Sequence, residues 1–287
     1  MSRAADVVAR LTRFWAGEGC ALLTSCDLPV TSGLLHPRAF LPLACGVAGR
    51  LAYPQPVRRP VDGRHHLPDR LARLTHFEVV LETAPADLVP LYLRSLRALG
   101  LRLELHDLRF AESDWSEAVL ATGGPGWSVR IDGLGVSRIS LLQQVAGRPR
   151  EVAAAEVAYG VERLASVVAA APSARAVGDD PAALGERWEA ELVRQACEVV
   201  DPELLRRRLD AWDAEAAACL QAALAWGAYE AAISGAYCLA LLDARGVLEG
   251  GERSRWQRRL ADHVAASVEL LRASIAPAGQ GRASDAD

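Results

Sequence analysis

The stretch "WSVRIDGLGVSRISLLQQ" at 127–144 constrains the fold more than any other part of the chain. Two strand-like runs flank Asp132-Gly133, and a two-residue Asp-Gly connection selects a type I′ turn, whose two central residues both take positive φ. Such a turn joins neighbouring antiparallel strands, whereas a parallel pair needs a crossover of about a dozen residues or more. "HFEVVLE" at 76–82 alternates Phe77, Val79 and Leu81 with Glu78, Val80 and Glu82, the period of a half-buried strand. "LRLELHDLRF" at 101–110 and "CALLTS" at 20–25 read as further strands, with strand-like pieces around 39–45 and 50–55. No regular β-α-β alternation connects these runs, so the sheet is expected to be largely antiparallel.

Helical patterns flank the strands. Residues 4–16 place Val7, Val8, Leu11, Phe14 and Trp15 on one face and stop at Gly17 and Gly19. Residues 87–99 form a second pattern, with Asp87 as N-cap and Gly100 as stop. Past a loop rich in Ala, Gly, Asp and Pro at 171–183, helical patterns run over about 184–199, 202–226, 229–247 and 251–275. The expected class is α+β: an antiparallel-sheet domain over 1–170, then a helical domain over 171–275. Residues 276–287 form a polar tail expected to be disordered.

Composition removes several kinds of chemistry. The 287 residues include no lysine, which excludes a Walker P-loop lysine and a Schiff-base lysine. The six cysteines form no C-x-x-C pair and have no histidine at zinc-ligand spacing, so a structural zinc is not expected. A net charge of −4 argues against unaided tight binding to nucleic acid, DNA included. No apolar run approaches the roughly 18 residues that a membrane span needs, and "MSRAADVVARL" lacks a signal-peptide core. The expectation is a cytoplasmic protein with no membrane partner.

What remains is arginine. "QPVRRPVDGR" at 55–64 carries a pair before a loop, and "AYGVERLASV" at 158–167 has the form of strand end, glycine turn and helix opening, with Arg163 just inside the helix. Each alone reads as a solvated turn or a surface helix charge. Together they suit a phosphate site, because arginine is always charged and offers a planar fork to phosphate. A carboxylate is already ionised near neutral pH and needs no general base to attack phosphorus. It needs the two anions aligned and the phosphoryl charge stabilised. Two arginines, without lysine, histidine or cysteine, are chemically sufficient for adenylate formation. His65-His66 reads as solvated loop, since adjacent rings do not converge on one ion, and the arginines at 206–208 and 252–259 read as solvated helix faces.

The ordered set "FWAGEGC" (14–20), "HP" (36–37), "AYPQPVRRPVDGR" (52–64), "HDLRFAESDW" (106–115), "GPGW" (124–127), "LLQQVAG" (141–147), "EVAYGVERLA" (156–165) and "LLDARGVL" (241–248) resembles one family. It is the α subunit of bacterial heterotetrameric glycyl-tRNA synthetase, a class II aminoacyl-tRNA synthetase core, and the likeness runs from about Leu11 to Leu248. The resemblance implies ATP and Mg²⁺ as cofactors. It makes 52–64 motif 2, with Arg58 or Arg59 on the α-phosphate, Arg64 and Arg70 beyond it, and Phe77 stacking on adenine. It makes 156–165 motif 3, with Arg163 on the γ-phosphate and Glu156 at the edge for Mg²⁺ or the substrate amine. The acyl pocket falls on His36, Glu78, Trp115, Gly123, Trp127, Gly135, Ser137 and Arg138. Partners implied are a small amino or carboxylic acid, a second copy of the chain through motif 1 (roughly 30–55, apolar at "AFLPLACGVAG"), a β-type subunit and tRNA.

The chain departs from the family's pattern in one place after another around that pocket. Gly123 stands for a tryptophan in "ATGGPGW", and in "DGLGVSRISLLQQ" Gly135 stands for a glutamate, Arg138 for a glutamine, and Leu141 and Leu142 for aromatics. "TSCD" (24–27) stands for Gln-Pro-Leu-Asp, "LLHP" (34–37) for Thr-Ser-His-Pro, and "HFE" (76–78) for Gln-Phe-Gln. Loss of an indole is expected to open volume, and loss of a carboxylate to remove a partner for an ammonium. Arg138 adds a cation for a carboxylate or an anionic substrate group. The expected function is ATP-dependent activation of a small amino or carboxylic acid as an acyl-adenylate, for transfer to tRNA, a carrier protein or a small amine, with glycine a poor substrate. The alternatives are an ordinary α subunit that charges tRNA with glycine beside a β subunit, and a non-catalytic nucleotide-binding or regulatory paralogue.

Overall fold

A computed structural model of the chain describes residues 3–60, 69–178 and 182–275. The Asp-Gly turn has the expected form: Asp132 and Gly133 sit at φ 51° and 82° and join β7 (Gly126–Ile131) to β8 (Leu134–Val145) as antiparallel neighbours. Around this hairpin the described residues build a nine-stranded sheet. Its strands are β1 (Ala21–Leu22), β2 (Arg50–Arg58), β3 (Arg73–Leu81), β4 (Leu108–Glu112), β5 (Trp115–Glu117), β6 (Thr122–Gly124), β7, β8 and β9 (Arg148–Gly160). The order is β1-β2-β3-β9-β8-β6-β5, with β4 and β7 branching from β8. Only the short β1–β2 pairing is parallel.

The helices are α1 (Ala4–Gly17), α2 (Pro37–Cys45), α3 (Leu88–Ala98), α4 (Val161–Val168), α5 (Ala182–Arg194), α6 (Pro202–Gln221), α7 (Ala225–Ala244) and α8 (Glu252–Ile275). Two stretches differ from the sequence expectation. Residues 39–45 belong to α2 and not to a strand. "AFLPLAC" is apolar at every position, so periodicity cannot separate strand from helix there. The boundaries decide: Pro37 stands in the first turn, the His36 side chain accepts from the Arg38 N–H, and Gly46 closes the helix at φ 79°. Residues 101–107 contain a 3₁₀ turn, Leu103–Leu105, before β4 begins at Leu108.

Alternation along the strands gives the sheet two different faces. On one, Phe77, Val79, Leu81, Ile139, Val157 and Tyr159 pack against Val7, Leu11 and Trp15 of α1, Tyr92 and Leu96 of α3, and Leu164 of α4. On the other, Tyr53, Val57, Val80 and Leu142 join Leu34, Phe40, Leu41 and Leu43 in a cluster that also contains Leu205, Leu209, Tyr229, Ile233, Leu242, Leu260 and Val264. Helices α6–α8 therefore share their core with the segment around α2. Tyr229 stacks on Phe40 at 5.8 Å and donates to the Leu35 carbonyl at 3.1 Å. Of the apolar run expected at a dimer face, Phe40, Leu41 and Leu43 are fully buried within the chain, while Val47 is 62% exposed. Helix α5 is tied to the start of β3, where Glu189 accepts from the Ala72 and Arg73 N–H groups at 2.6 and 3.0 Å and the Arg73 guanidinium lies 4.2 Å from the Trp188 ring. Among the described residues no helix is long and apolar enough to cross a membrane.

Candidate functional site

Beyond the α2 cluster the second face of the sheet turns polar and opens. His76 and Glu78 of β3, Glu156 of β9, Arg138 and Ser140 of β8, and Ser128 of β7 alternate with the apolar residues that face α1, α3 and α4. Above them lies a cleft of about 590 Å³ whose walls include Arg59, Arg70, Trp115, Gly135, Arg138 and Arg163.

At one end of the cleft three chain segments deliver arginines. Arg59 follows β2, and its N–H donates to the Ala72 carbonyl at 2.7 Å, which fixes the backbone at the strand end. Its guanidinium meets His76 Nε2 at 3.3 Å, and His76 Nδ1 meets Glu78 Oε1 at 2.9 Å. Burial first, then the Arg59 and Arg138 cations, drive the His76 pKa down to about 3. The ring is neutral, so Nδ1–H donates to Glu78 and Nε2 accepts from Arg59. Burial pushes Glu78 up to about 7 against the pull of Arg138 and Arg59. A Cβ on Gly33 would stand 2.1 Å from Glu78 Cγ, so only glycine at 33 leaves room for this carboxylate. Arg163 stands in the first turn of α4, and its Nε and Nη1 donate to the Asp69 and Gly135 carbonyls, each at 3.1 Å. The Arg59 pKa is lowered by burial and then by Arg138, Arg163 and Arg70, so these cations share one field.

Arg138, whose cation acts on Arg59 more strongly than those of Arg163 and Arg70 do, is held on three sides. Its guanidinium lies 4.5 Å from the Trp115 ring centroid, Nη2 donates to Glu156 Oε2 at 3.1 Å, and Nε donates to Ser140 Oγ at 3.2 Å. The Arg138 side chain is 23% exposed, while Glu156 beneath it is 0% exposed, so the arginine seals the carboxylate from the cleft. Burial raises the Glu156 pKa; Arg138 opposes the rise and Glu78 adds to it. Glu117 also borders the cleft, with its pKa raised by burial.

The structure brings Arg59, Arg70, Trp115, Gly135, Ser137, Arg138 and Arg163 to this cleft, with Glu78 and Glu156 under its floor. Other expected site residues lie elsewhere. Arg58, one residue out of phase with Arg59, does not border this cleft; it lines a smaller cavity with Arg59, Arg208 and Tyr237. Phe77 is fully buried against Tyr159 at 6.2 Å on the helix-covered face, where no adenine ring reaches it. Trp127 packs toward that same face, because its strand partner is Ile139 and the alternate residue, Ser128, meets the cleft. His36 is a structural cap: 2% exposed, it donates from Nε2 to the Thr24 carbonyl at 2.9 Å and lies 4.9 Å from the Tyr53 ring. Ser137 borders the cleft but buries its hydroxyl.

Gly123 opens no void. A Cβ there would stand 2.5 Å from the Trp115 carbonyl oxygen, so the β5 backbone fills the direction an indole would take. At Gly135, by contrast, a Cβ would meet nothing within 4 Å. Glu156 is a poor Mg²⁺ ligand as placed, with Oε2 engaged by Arg138 and no exposed surface. Arg64 and the His65-His66 pair lie outside the described residues. Of the helical arginines, Arg206 pairs with Glu252 at 2.5 Å, Arg253 with Asp243 at 3.3 Å and Arg259 with Asp213 at 2.5 Å, while Arg207, Arg208, Arg255 and Arg258 are exposed. Sequence reading passed over Gly33, Ser140, Glu117 and the His76 link to Arg59. The departure "HFE" was the available signal for the last of these.

The profile of the family described as "Glycyl-tRNA synthetase alpha subunit" matches residues 4–272. Among solved structures, pyrrolysyl-tRNA synthetase from Desulfitobacterium hafniense aligns at 12% identity and a TM-score of 0.42, over 62% of this chain and 74% of that one. A second structure of a pyrrolysyl-tRNA synthetase from that organism, PylSc, aligns at 11% identity and the same TM-score of 0.42, over 62% and 73%. Likeness at this distance says nothing about substrate.

Proposed function

The chain belongs to the glycyl-tRNA synthetase alpha-subunit family, and from that premise we propose that it is an ATP-dependent ligase that activates a small carboxylic or amino acid as its acyl-adenylate. The observation that carries this reading is the convergence of Arg59, Arg70 and Arg163, from three separated segments, on one cleft. Guanidinium donors on a concave, partly dry wall suit a triphosphate, and the donor set fits ATP. Arg59, oriented by neutral His76, holds a phosphoryl oxygen near the acid's carboxylate. Arg163, oriented by the Asp69 and Gly135 carbonyls, holds the phosphates that leave. A carboxylate oxygen attacks the α-phosphorus, the bond to the bridging oxygen breaks, and pyrophosphate departs with its electron pair. The protein supplies alignment and charge stabilisation, with no proton transfer required. Glu156 does not fit the role of holding Mg²⁺, and no step is assigned to it there.

A second reading, that the acid is glycine and the acceptor tRNA bound with a β-type subunit, has specific support. The filled space at Gly123 removes one of the two grounds for a larger acid. Against it stand the sealed Glu156 and the open flank at Gly135. With a net charge of −4 the chain by itself is not suited to hold tRNA at physiological salt, so filter binding of the isolated protein should show no submicromolar complex. The decisive experiment is ATP–pyrophosphate exchange with glycine and a panel of small acids. Exchange with one of them establishes adenylation; its absence across the panel, with Mg·ATP still binding by calorimetry, leaves the nucleotide-binding paralogue.

A further inference from the structure

The distribution of charge around the cleft narrows the acid. Among the described residues the cleft walls carry Arg59, Arg70, Arg138 and Arg163 against Asp114 and Glu117. The two carboxylates of the floor, Glu78 and Glu156, are fully buried and do not border the cleft. An incoming acid therefore meets the guanidinium of Arg138 before it meets Glu156.

That guanidinium is fixed before any ligand arrives. Trp115 covers one face, Nη2 is tied to Glu156 and Nε to Ser140, while Nη1 makes no hydrogen bond to a described residue. A planar group held on three sides and left with two N–H donors on an open wall is preorganised for one more acceptor.

We infer that the acid activated in this cleft carries a second anionic group, and that Arg138 is the specificity-determining residue that receives it through Nη1. The inference rests on the adenylation reading and deepens it. One carboxylate is drawn to the α-phosphorus beside Arg59; the other pairs with Arg138. The substrate class is a small dicarboxylate or an amino acid with an acidic side chain. Asp114 and Glu117 are the wall carboxylates among the described residues that an ammonium could meet.

The test is ATP–pyrophosphate exchange by the full chain with acetate, glycine, malonate, succinate and aspartate, repeated with Arg138→Gln and Arg138→Lys. The parent is expected to favour diacids over the matched monoacids in kcat/KM. Arg138→Gln is expected to collapse the succinate-to-acetate and aspartate-to-glycine ratios by about 10- to 150-fold, the range of one charge-assisted hydrogen bond. Arg138→Lys should restore part of the ratio. A higher rate with aspartate than with succinate assigns the amino diacid; the reverse assigns the plain diacid. Should Arg138→Gln fail to fold, the parent's own ratios still decide. Exchange that favours acetate or glycine would overturn the inference and leave adenylation standing, as would an equal loss on mono- and diacids in Arg138→Gln. No exchange with any acid would remove both.

Discussion

The two faces of the central sheet are built from alternate residues of the same strands, yet they obey different rules. On the helix-covered face Phe77, Val157 and Tyr159 are fixed by volume, packed against α1, α3 and α4. On the cleft face His76, Glu78, Glu156 and Arg138 are fixed by partners, each charge or ring nitrogen facing another at about 3 Å. The contrast explains why a functional assignment that is off by one residue along a strand is wrong in kind, since a slip of one moves a side chain from the cleft to the core. Phe77 and His76, and Trp127 and Ser128, are two such pairs.

The sharpest way to break this division is to cut the apolar face. Phe77→Ala should lower stability by about 3–5 kcal/mol, as truncation of a buried aromatic does, while the folded fraction binds Mg·ATP with the parent's affinity. Urea melts and calorimetry at low temperature check the two halves. An affinity weakened in the folded protein would put the ring at the nucleotide after all.

On the polar face the order of effects reverses. Arg163→Ala should keep the fold and reduce exchange about 100- to 1,000-fold in kcat/KM for ATP, the usual effect of removing one preorganised donor. Unchanged exchange with unchanged helix content would take Arg163 out of the phosphate site.

The buried pair beside Arg59 makes a pH prediction with two opposing signs. Glu78 rises from 4.5 to about 7, so the folded chain keeps a proton that the unfolded chain releases, and this group lowers stability as pH rises through that window. His76 falls from 6.5 to about 3, so the unfolded chain binds a proton that the folded one refuses, and this group raises stability with pH over that range. Between 4.5 and 6.5 the slopes oppose each other. Glu78→Gln removes the falling slope, so its stability relative to the parent should climb with pH by up to about 1.4 kcal/mol per unit. Denaturant melts at about pH 5 and about pH 7 measure the climb; a constant difference would mean that Glu78 is ionised throughout.

The smallest effect on exchange tests His36. Asparagine keeps an acceptor at the N-cap of α2 but gives up the bond to the Thr24 carbonyl, so His36→Asn should cost about 1–3 kcal/mol of stability and leave exchange kinetics as in the parent. A selective rise in KM for the acid would return His36 to the pocket.

The sequence made the hairpin, the strand alternation and the C-terminal helices legible because each rests on local rules: turn chemistry, period and stop signals. It pointed to Arg163, which the fold brings to the cleft, and to the pair Arg58 and Arg59, of which Arg59 lines the cleft. It did not choose within that pair, because the choice belongs to the pleat at the end of β2. The misreading of 39–45 came from a run with no period to read. The expected void at Gly123 failed for a different reason: removing a side chain from one strand allowed the backbone of another, β5, to stand close, and no local pattern reports a neighbour's backbone.

The shared cluster that joins α2 to α6, α7 and α8 sets limits on how such a chain can be rearranged. Tyr229 seats against Phe40 and reaches the Leu35 carbonyl, and Glu189 of α5 caps amides at the mouth of β3. The helices are thus not a cartridge that recombination can exchange at residue 171. A fragment ending there would expose the apolar side of α2, and a graft from a relative would need residues from about 30 to 45 to travel with it. Surface substitution on a fixed frame, and not the trading of modules, is the kind of change that this architecture tolerates there.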